Sequence, residues 1–508
     1  MNAPDPFDGM DLASLRLGGA VLACNDDYFA EMDNLLKPED AVFLPHEYTP
    51  RGKWMDGWES RRKRVPGHDW AIVRLGVPGV LRAAVIDTAF FRGNYPSHAS
   101  LEGCAAPTDA GVDALLGDDV EWVEILPKSA LQGDHKNRFA LTSTHAFTHV
   151  RLNIFPDGGV ARLRLFGDAV PDWRRIGHAR GEVDVAAAEH GADVLACSDM
   201  FFGERRNLIM PGRARNMSDG WETRRRRGPG HDWSIVRLSS RATIQRLLID
   251  TNHFRGNYPD TCEVEACDSP GASVDVLTAA EHPWRPLLPR TKLHAHTRHH
   301  LEDELHALGP VTHLRVKVFP DGGVSRLRAF AVLDDDARRA LGLRRLNTLL
   351  PGELQRALRT CCGATRWVRS MATALPLASV ENALAAADAA WAACGEDDWH
   401  EAFRAHPRIG ERKAHQDTGA QAARWSSQEQ AAVNASGDDV RAALAAVNAE
   451  YESRFGFIYI VCATGRSPDE LLALARTRLA NTRDEELRNA AAEQHKILRL
   501  RLEKLLTP

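Results

Sequence analysis

The sequence predicts a multidomain protein in which two antiparallel β-sandwiches precede an all-helical domain. Three observations predict this. The chain has 508 residues, more than a single hydrophobic core ordinarily organises. Its first two thirds repeat themselves motif by motif, and after Phe330 short β-like runs give way to Ala- and Leu-rich segments with helical spacing. Apolar residues make up 44% and charged residues 26%, as in ordinary globular proteins, which argues against a disordered or fibrous chain. A net charge of -5 argues against a general nucleic-acid binder.

The start, MNAPDPFDGMDLASL, lacks the basic and apolar regions of an export signal. No segment approaches the roughly 18 consecutive apolar residues of a membrane helix. A cytoplasmic, soluble homo-oligomer without a membrane or nucleic-acid partner is expected. The nine cysteines are odd in number, and Cys361-Cys362, their one close grouping, lacks zinc-ligand spacing, so they read as reduced, buried thiols.

The repeats come first in chain order. CNDDYF at Cys24 returns as CSDMFF at Cys197. DGWESRRKRVPGHDWAIVRL at Asp56 returns as DGWETRRRRGPGHDWSIVRL at Asp219, and FRGNYP at Phe91 returns at Phe254. HVRLNIFPDGGVARLR at His149 returns as HLRVKVFPDGGVSRLR at His313. The spacing between copies is the same for DGWE and FRGNYP, one residue longer at FPDGG and about ten residues longer before DGWE, so one unit has been duplicated with small changes of length.

Within each unit DWAIVRL, AAVIDT and HVRLNIF, or DWSIVRL, LLIDT and HLRVKVF, are apolar runs of strand length that end at turn residues. PDGG is a turn, because Pro fixes φ and glycines accept positive φ. Each unit therefore reads as an antiparallel sandwich. LDDDARRALGLRR reads as a linker or boundary helix over 333–345. Beyond Leu346, VENALAAADAAWAAC, SGDDVRAALAAVNAEYESRF and TRDEELRNAAAEQHKILRLRLEKLL space apolar residues three and four apart. Ser467-Pro468-Asp469-Glu470 supplies a helix start with a cap, a Pro and first-turn acids. The expected division is 1–170, 171–332, the linker, and 346–508.

The DGWE motif, the basic run and GHDW gather carboxylates, guanidinium groups and an imidazole within a short span of each repeat. RRKR and RRRR alone would be a solvated edge or a phosphate-binding patch. Their interleaving with a fixed Trp, Glu and His-Asp favours a pocket for a small polyanionic or urea-like compound, where Arg meets carboxylate and acids meet amide N–H groups. FRGNYP serves either as a turn or as a rigid loop presenting Arg, Asn and Tyr. No HExxH or comparable spacing points to a metal.

DGWE-[ST]-RR, PGHDW, IDT, FRGNYP and FPDGG, all in duplicate over about residues 10 to 332, resemble allantoicase. The resemblance implies two jelly-roll, galactose-binding-like sandwiches and hydrolysis of allantoate to ureidoglycolate and urea. Such a reaction needs a carboxylate clamp, an acid for the departing urea and a base for water. Arg92, Asn94, Arg255 and Asn257 are the candidates for holding the substrate, and Glu59, Glu222, His68 and His231 for proton transfer. The alternative is a duplicated module that binds a ureide without turning it over.

AHPRIG at Ala405, SSQEQ at Ser426, NAEYESRFGFIYIVCATGRS at Asn448 and HKILRLRL at His495 together resemble 2-oxo-4-hydroxy-4-carboxy-5-ureidoimidazoline (OHCU) decarboxylase, which yields S-allantoin. The resemblance makes His406 the catalytic histidine and Glu429 its acidic partner. It assigns substrate contacts to Ser426, Pro407, Phe457, Ile458 and Arg501. Two departures stand out: Arg408 occupies a position that is commonly Asp, and the loop between His406 and Glu429 is long. No cofactor is implied, because the substrate's conjugated ring accepts the electrons released with carbon dioxide. The two reactions are not consecutive, so direct channelling between the halves is not implied.

Overall fold

The protein is described by a computed structural model that covers residues 5–176, 181–408, 424–425 and 438–507. The chain divides into a unit over Met1–Ala337 and a unit over Arg338–Pro508.

In the first repeat the spine is one 19-residue strand, β1 (Asp69–Asp87). Sequence reading splits it into DWAIVRL and AAVIDT because Gly76-Val77-Pro78-Gly79 looks like a turn. It joins two layers instead. Its first half pairs with Ala20–Cys24 on one side and β4 (Ala146–Phe155) on the other. Its second half pairs with Lys136–Ala140 and β5 (Arg162–Ala169). Strands β2 (His98–Cys104) and β3 (Val123–Ala130) extend the layer beyond β4, all antiparallel. The glycines let the strand change layer in close quarters. A Cβ on Gly76 would sit 2.6 Å from the Leu17 carbonyl oxygen, and one on Gly79 2.5 Å from that of Asp168. A strand that bends from one sheet into the next is a usual way to turn a sandwich corner.

The second repeat follows the same plan with β6 (Asp232–Asp250), β7 (Thr261–Cys267), β8 (Arg285–Lys292), β9 (Val311–Phe319) and β10 (Arg326–Val332). Alternation along these strands sends Ile86, Leu152, Ile154, Leu163 and their counterparts Ile249, Val316, Val318 and Leu327 into the cores, where each is essentially buried. Burial of such a side chain contributes about 1.5–3 kcal/mol. The repeats also touch each other. From the 3-10 turn Leu15–Leu17, Arg16 donates to Asn207 at 2.6 Å and pairs with Asp219. Arg205 and Arg206 reach back to Asp8.

The second unit is helical, as the sequence predicts. Helix α1 (Asp335–Leu346) occupies most of the expected linker and continues into this unit. It is followed by α2 (Pro351–Cys361), α3 (Thr365–Ala374), α4 (Val380–Ala392), α5 (Glu396–Arg404), α6 (Asp438–Phe455), α7 (Pro468–Arg478) and α8 (Arg483–Leu506). Ser467 and Glu470 form the capping box at the start of α7. Helix α8 buries Leu487, Ile497, Leu498 and Leu502 against the shared core. It approaches α1 so closely that a Cβ on Gly342 would overlap the Leu506 carbonyl. Among the described residues no helix is long and apolar enough to cross a membrane.

Candidate active sites

The duplicated motifs interlock. Trp58–Glu59 is a two-residue strand paired with Gly159–Val160 of the PDGG turn. The fully buried Phe91 ring fills the space a Cβ on Gly159 would need, 2.0 Å away. The Gly159 amide donates to the Asn94 carbonyl at 2.7 Å. Asn94 Nδ2 in turn donates to Glu59 Oε1 at 2.7 Å. The second repeat reproduces each contact: Glu222 pairs with Gly323, Phe254 lies over Gly323, and Asn257 Nδ2 donates to Glu222. DGWE, FRGNYP and FPDGG are thus three faces of one lock.

The first residue of each DGWE anchors it. Asp56 accepts from Arg162 at 2.7 Å, and both side chains are almost wholly buried. Asp219 meets Arg326, Arg215 and, from the first repeat, Arg16. Burial pushes the Glu59 and Glu222 carboxyls above the usual carboxylate range, against the opposing pull of the Asn94 and Asn257 hydrogen bonds. The DGWE carboxyl of each repeat is therefore biased toward its protonated form.

The other predicted residues lie elsewhere on the same loops. Arg92 is exposed and pairs with Asp134 at 3.0 Å, and Arg255 is exposed at the matching loop. His68 and His231 lie against the rings of Phe155 and Phe319, both at 4.9 Å between centroids. Burial, then Lys317, holds the His231 pKa below its ordinary value. Among the described residues no hydrogen bond joins His68 to Glu59 or His231 to Glu222. Alternate cations of the basic runs are paired locally: Arg61 with Asp26, Lys63 with Asp69, Arg224 with Asp199 and Arg226 with Asp232.

His68 stands at a cup of about 340 Å³ on the first repeat, whose lining includes Trp70, Glu102, Arg151 and Asn153. Pairing register assembles it. Asn153 lies across from Trp70 on β1 and Ser100 on β2, and Arg151 lies across from Glu102. Arg151 Nε and Asn153 Nδ2 both donate to Glu102 Oε2 at 2.8 Å. Burial opposes charge on Glu102, but these bonds outweigh it and hold the carboxyl low. Sequence reading missed this trio. Its one signal is the pair of polar residues two apart in HVRLNIF, which places them on one face of a strand.

In the helical unit His406 follows α5 and is buried, its amide bonded to the Phe403 carbonyl at 3.0 Å. Burial pushes its pKa down to about 3, with Arg501 adding to the shift and Gln494 working against it. Gln494 and Arg501 are seven apart on α8, hence on one face, and both are buried. Among the described residues neither amide atom of Gln494 makes a hydrogen bond of ordinary geometry, although its side chain lies close enough to His406 to favour the charged ring. Sequence reading found Arg501 but missed Gln494. Phe457 packs on Phe403 and Tyr451, while Ile458 is half-buried. Their segment is fixed by Arg478 donating to the Ile460 carbonyl and by Glu493 accepting from the Cys462 amide. Arg408, beyond Pro407, forms a two-pronged pair with Glu452 near 3.0 Å, which gives the unusual arginine an anchoring role. Ser426 and Glu429 lie outside the described residues.

Taken together, these features define a duplicated β-sandwich with a half-buried acid in each copy, continued by a helical unit built around a buried neutral histidine. The family model described as allantoicase repeat matches residues 10–170 and 183–334, and the chain belongs to the allantoicase family. Residues 347–503 match the family model described as OHCU decarboxylase. A probable allantoicase from Pseudomonas aeruginosa (strain UCBPP-PA14) is 49% identical over 321 residues, which is 63% of this chain and 95% of that protein. Probable allantoicase 1 from Burkholderia mallei (strain ATCC 23344) is 46% identical over 326 residues, 64% of this chain and 95% of its own. The crystal structure of allantoicase from Saccharomyces cerevisiae is 34% identical and covers 64% of this chain and 93% of that one, with a TM-score of 0.54.

Proposed function

We propose that the chain carries two activities of urate catabolism. The duplicated sandwich hydrolyses allantoate to ureidoglycolate and urea, and the helical domain decarboxylates OHCU to S-allantoin without a cofactor. Support for the pair comes from the two family matches, which between them span nearly the whole chain. The observation that carries the hydrolytic chemistry is the half-buried DGWE carboxyl, biased toward protonation and held by an Asn in each repeat.

In allantoate hydrolysis water gives its hydroxyl to the central carbon and a proton to the departing ureido nitrogen. A carboxyl whose burial biases it toward the protonated form is suited to give that proton, which is the role of Glu59 and Glu222. His68 and His231 activate water, and Arg92 and Arg255, two residues before the orienting Asn94 and Asn257, hold the substrate carboxylate. In the helical domain an uncharged His406 receives an anionic substrate beside Arg501. The substrate's negative charge raises the His406 pKa, so that protonation of the ring accompanies binding. Carbon dioxide then leaves, and one face of the resulting carbanion is protonated.

Glu59→Gln and Glu222→Gln, singly and together, test the hydrolytic half through urea released from allantoate. Loss of a general acid costs about 100-fold or more in kcat. The wild-type rate falls as pH rises through the elevated carboxyl pKa, because the proton to be donated is then lost. Full activity in the double variant removes these residues from the mechanism. The working protein is a cytoplasmic homo-oligomer acting on small ureides, a state that sedimentation equilibrium reads directly.

A further inference from the structure

We infer that the two sandwiches are chemically unequal: the cup on the first repeat seats a ureido group of the substrate, and the second repeat's counterpart is closed by its own lysine. The inference rests on the allantoate reading above and says which copy's cup seats the ureido group.

The two cups share most of their frame. Trp70, Glu102, Arg151 and Phe155 of the first correspond to Trp233, Glu265, Arg315 and Phe319 of the second. Three positions differ. Where the first repeat has Asn153, Ser100 and Glu124, the second has Lys317, Glu263 and Pro286. The consequence is visible atom by atom. In the second repeat both oxygens of Glu265 are occupied, Oε1 by Lys317 Nζ at 2.6 Å and Oε2 by Arg315 Nε at 2.7 Å. In the first, Glu102 Oε2 takes both donors and Oε1 accepts no hydrogen bond from the described residues. Asn153 is only 4% exposed, its Nδ2 is committed to Glu102 and Ser100, and its Oδ1 has no partner among the described residues.

A buried carbonyl without a donor is costly, and native structures leave few. Here it lines a cavity beside a carboxylate that is held charged. Two open acceptors call for a ligand with adjacent N–H donors, and Arg151 supplies a donor for a carbonyl. A urea group, H2N–CO–NH–, has that arrangement. An inorganic anion does not, since acceptors would face acceptors. Lys317 supplies in the second repeat the donor that a ligand supplies in the first.

The test uses the full chain, steady-state urea release from allantoate, and ureidoacetate as a ureido acid that lacks the second leaving group. Asn153→Lys imports the second repeat's residue, and Lys317→Asn is the reciprocal change. We expect Asn153→Lys to raise the allantoate KM and the ureidoacetate inhibition constant about tenfold or more, the worth of one or two hydrogen bonds. Lys317→Asn should stay within about twofold, below one lost hydrogen bond. An unchanged KM in Asn153→Lys, or an equal loss in Lys317→Asn, overturns the inference. If Asn153→Lys does not fold, the isosteric Asn153→Asp, which places a carboxylate beside Glu102, is judged by the same KM criterion. If wild type releases no urea, the allantoate reading fails by itself. Calorimetric binding of ureidoacetate to wild type and Asn153→Asp then decides the cup, with equal affinities or no binding counting against it.

Discussion

Gln494 and Asn153 are buried primary amides that the fold leaves partly unbonded, one in each unit. An unsatisfied buried polar group costs about 1–3 kcal/mol, so each position lowers the stability of the free protein. For Gln494 the reason lies next door, since it shares a helix face with Arg501 and adjoins His406. Gln494→Leu is therefore expected to leave the unfolding free energy unchanged or raise it by about 1 kcal/mol, while kcat/KM for decarboxylation falls about tenfold or more. A residue serving only the core would show the reverse, a lower midpoint with kcat/KM retained. Neither amide was legible in the sequence. A Gln on a helix and an Asn in a strand look like ordinary surface residues until packing shows them buried with polar atoms left open.

Among elements, the lock between DGWE, FRGNYP and FPDGG depends on the absence of one atom. A Cβ on Gly159 or Gly323 would lie within the ring of Phe91 or Phe254. Gly159→Ala is expected to cost about 1–3 kcal/mol by overpacking, read as a lower denaturant midpoint, and to reduce urea release by loosening Asn94 from Glu59. The sequence made the three motifs visible, because duplication marks them, but not that they touch. It also made visible the strand segments and the Ser467 cap, which depend on neighbours along the chain. The length of β1 was hidden because glycine and proline signal a turn whether the chain reverses or only changes layer. The cup was hidden for a different reason: it is assembled by the register of strands far apart in sequence, and a one-residue slip would turn every lining residue away.

For the whole molecule, two buried histidines set the acid limit of the sandwich unit. His149 and His313 occupy matching positions on β4 and β9, and burial, followed by repulsion from Arg74 or Arg237, pushes each pKa from 6.5 to about 4. Above the unfolded value both states are neutral and nothing is lost. Below it the unfolded chain takes up protons that the folded chain refuses, so stability falls from about pH 6.5 down to about pH 4, by about 3 kcal/mol per histidine. His149→Gln with His313→Gln should flatten the melting temperature of this unit across that window, as followed by calorimetry. His406, shifted to about 3, gives the helical unit an acid dependence of the same sign. His406→Ala is expected to abolish decarboxylation while urea release continues at the wild-type rate. Loss of both activities would mean that the two units depend on each other to fold.

The contact made by Arg16 gives the tandem array a direction. The anchoring aspartate of the second repeat takes a cation that belongs to the first, 203 residues upstream. At the equivalent place in its own 3-10 turn the second repeat carries Glu189. A third copy appended behind it would meet a carboxylate where a cation is required. The order of the two sandwiches is thus marked in their surfaces, since exchanging them would set Glu189 rather than Arg16 against the neighbouring repeat's anchor.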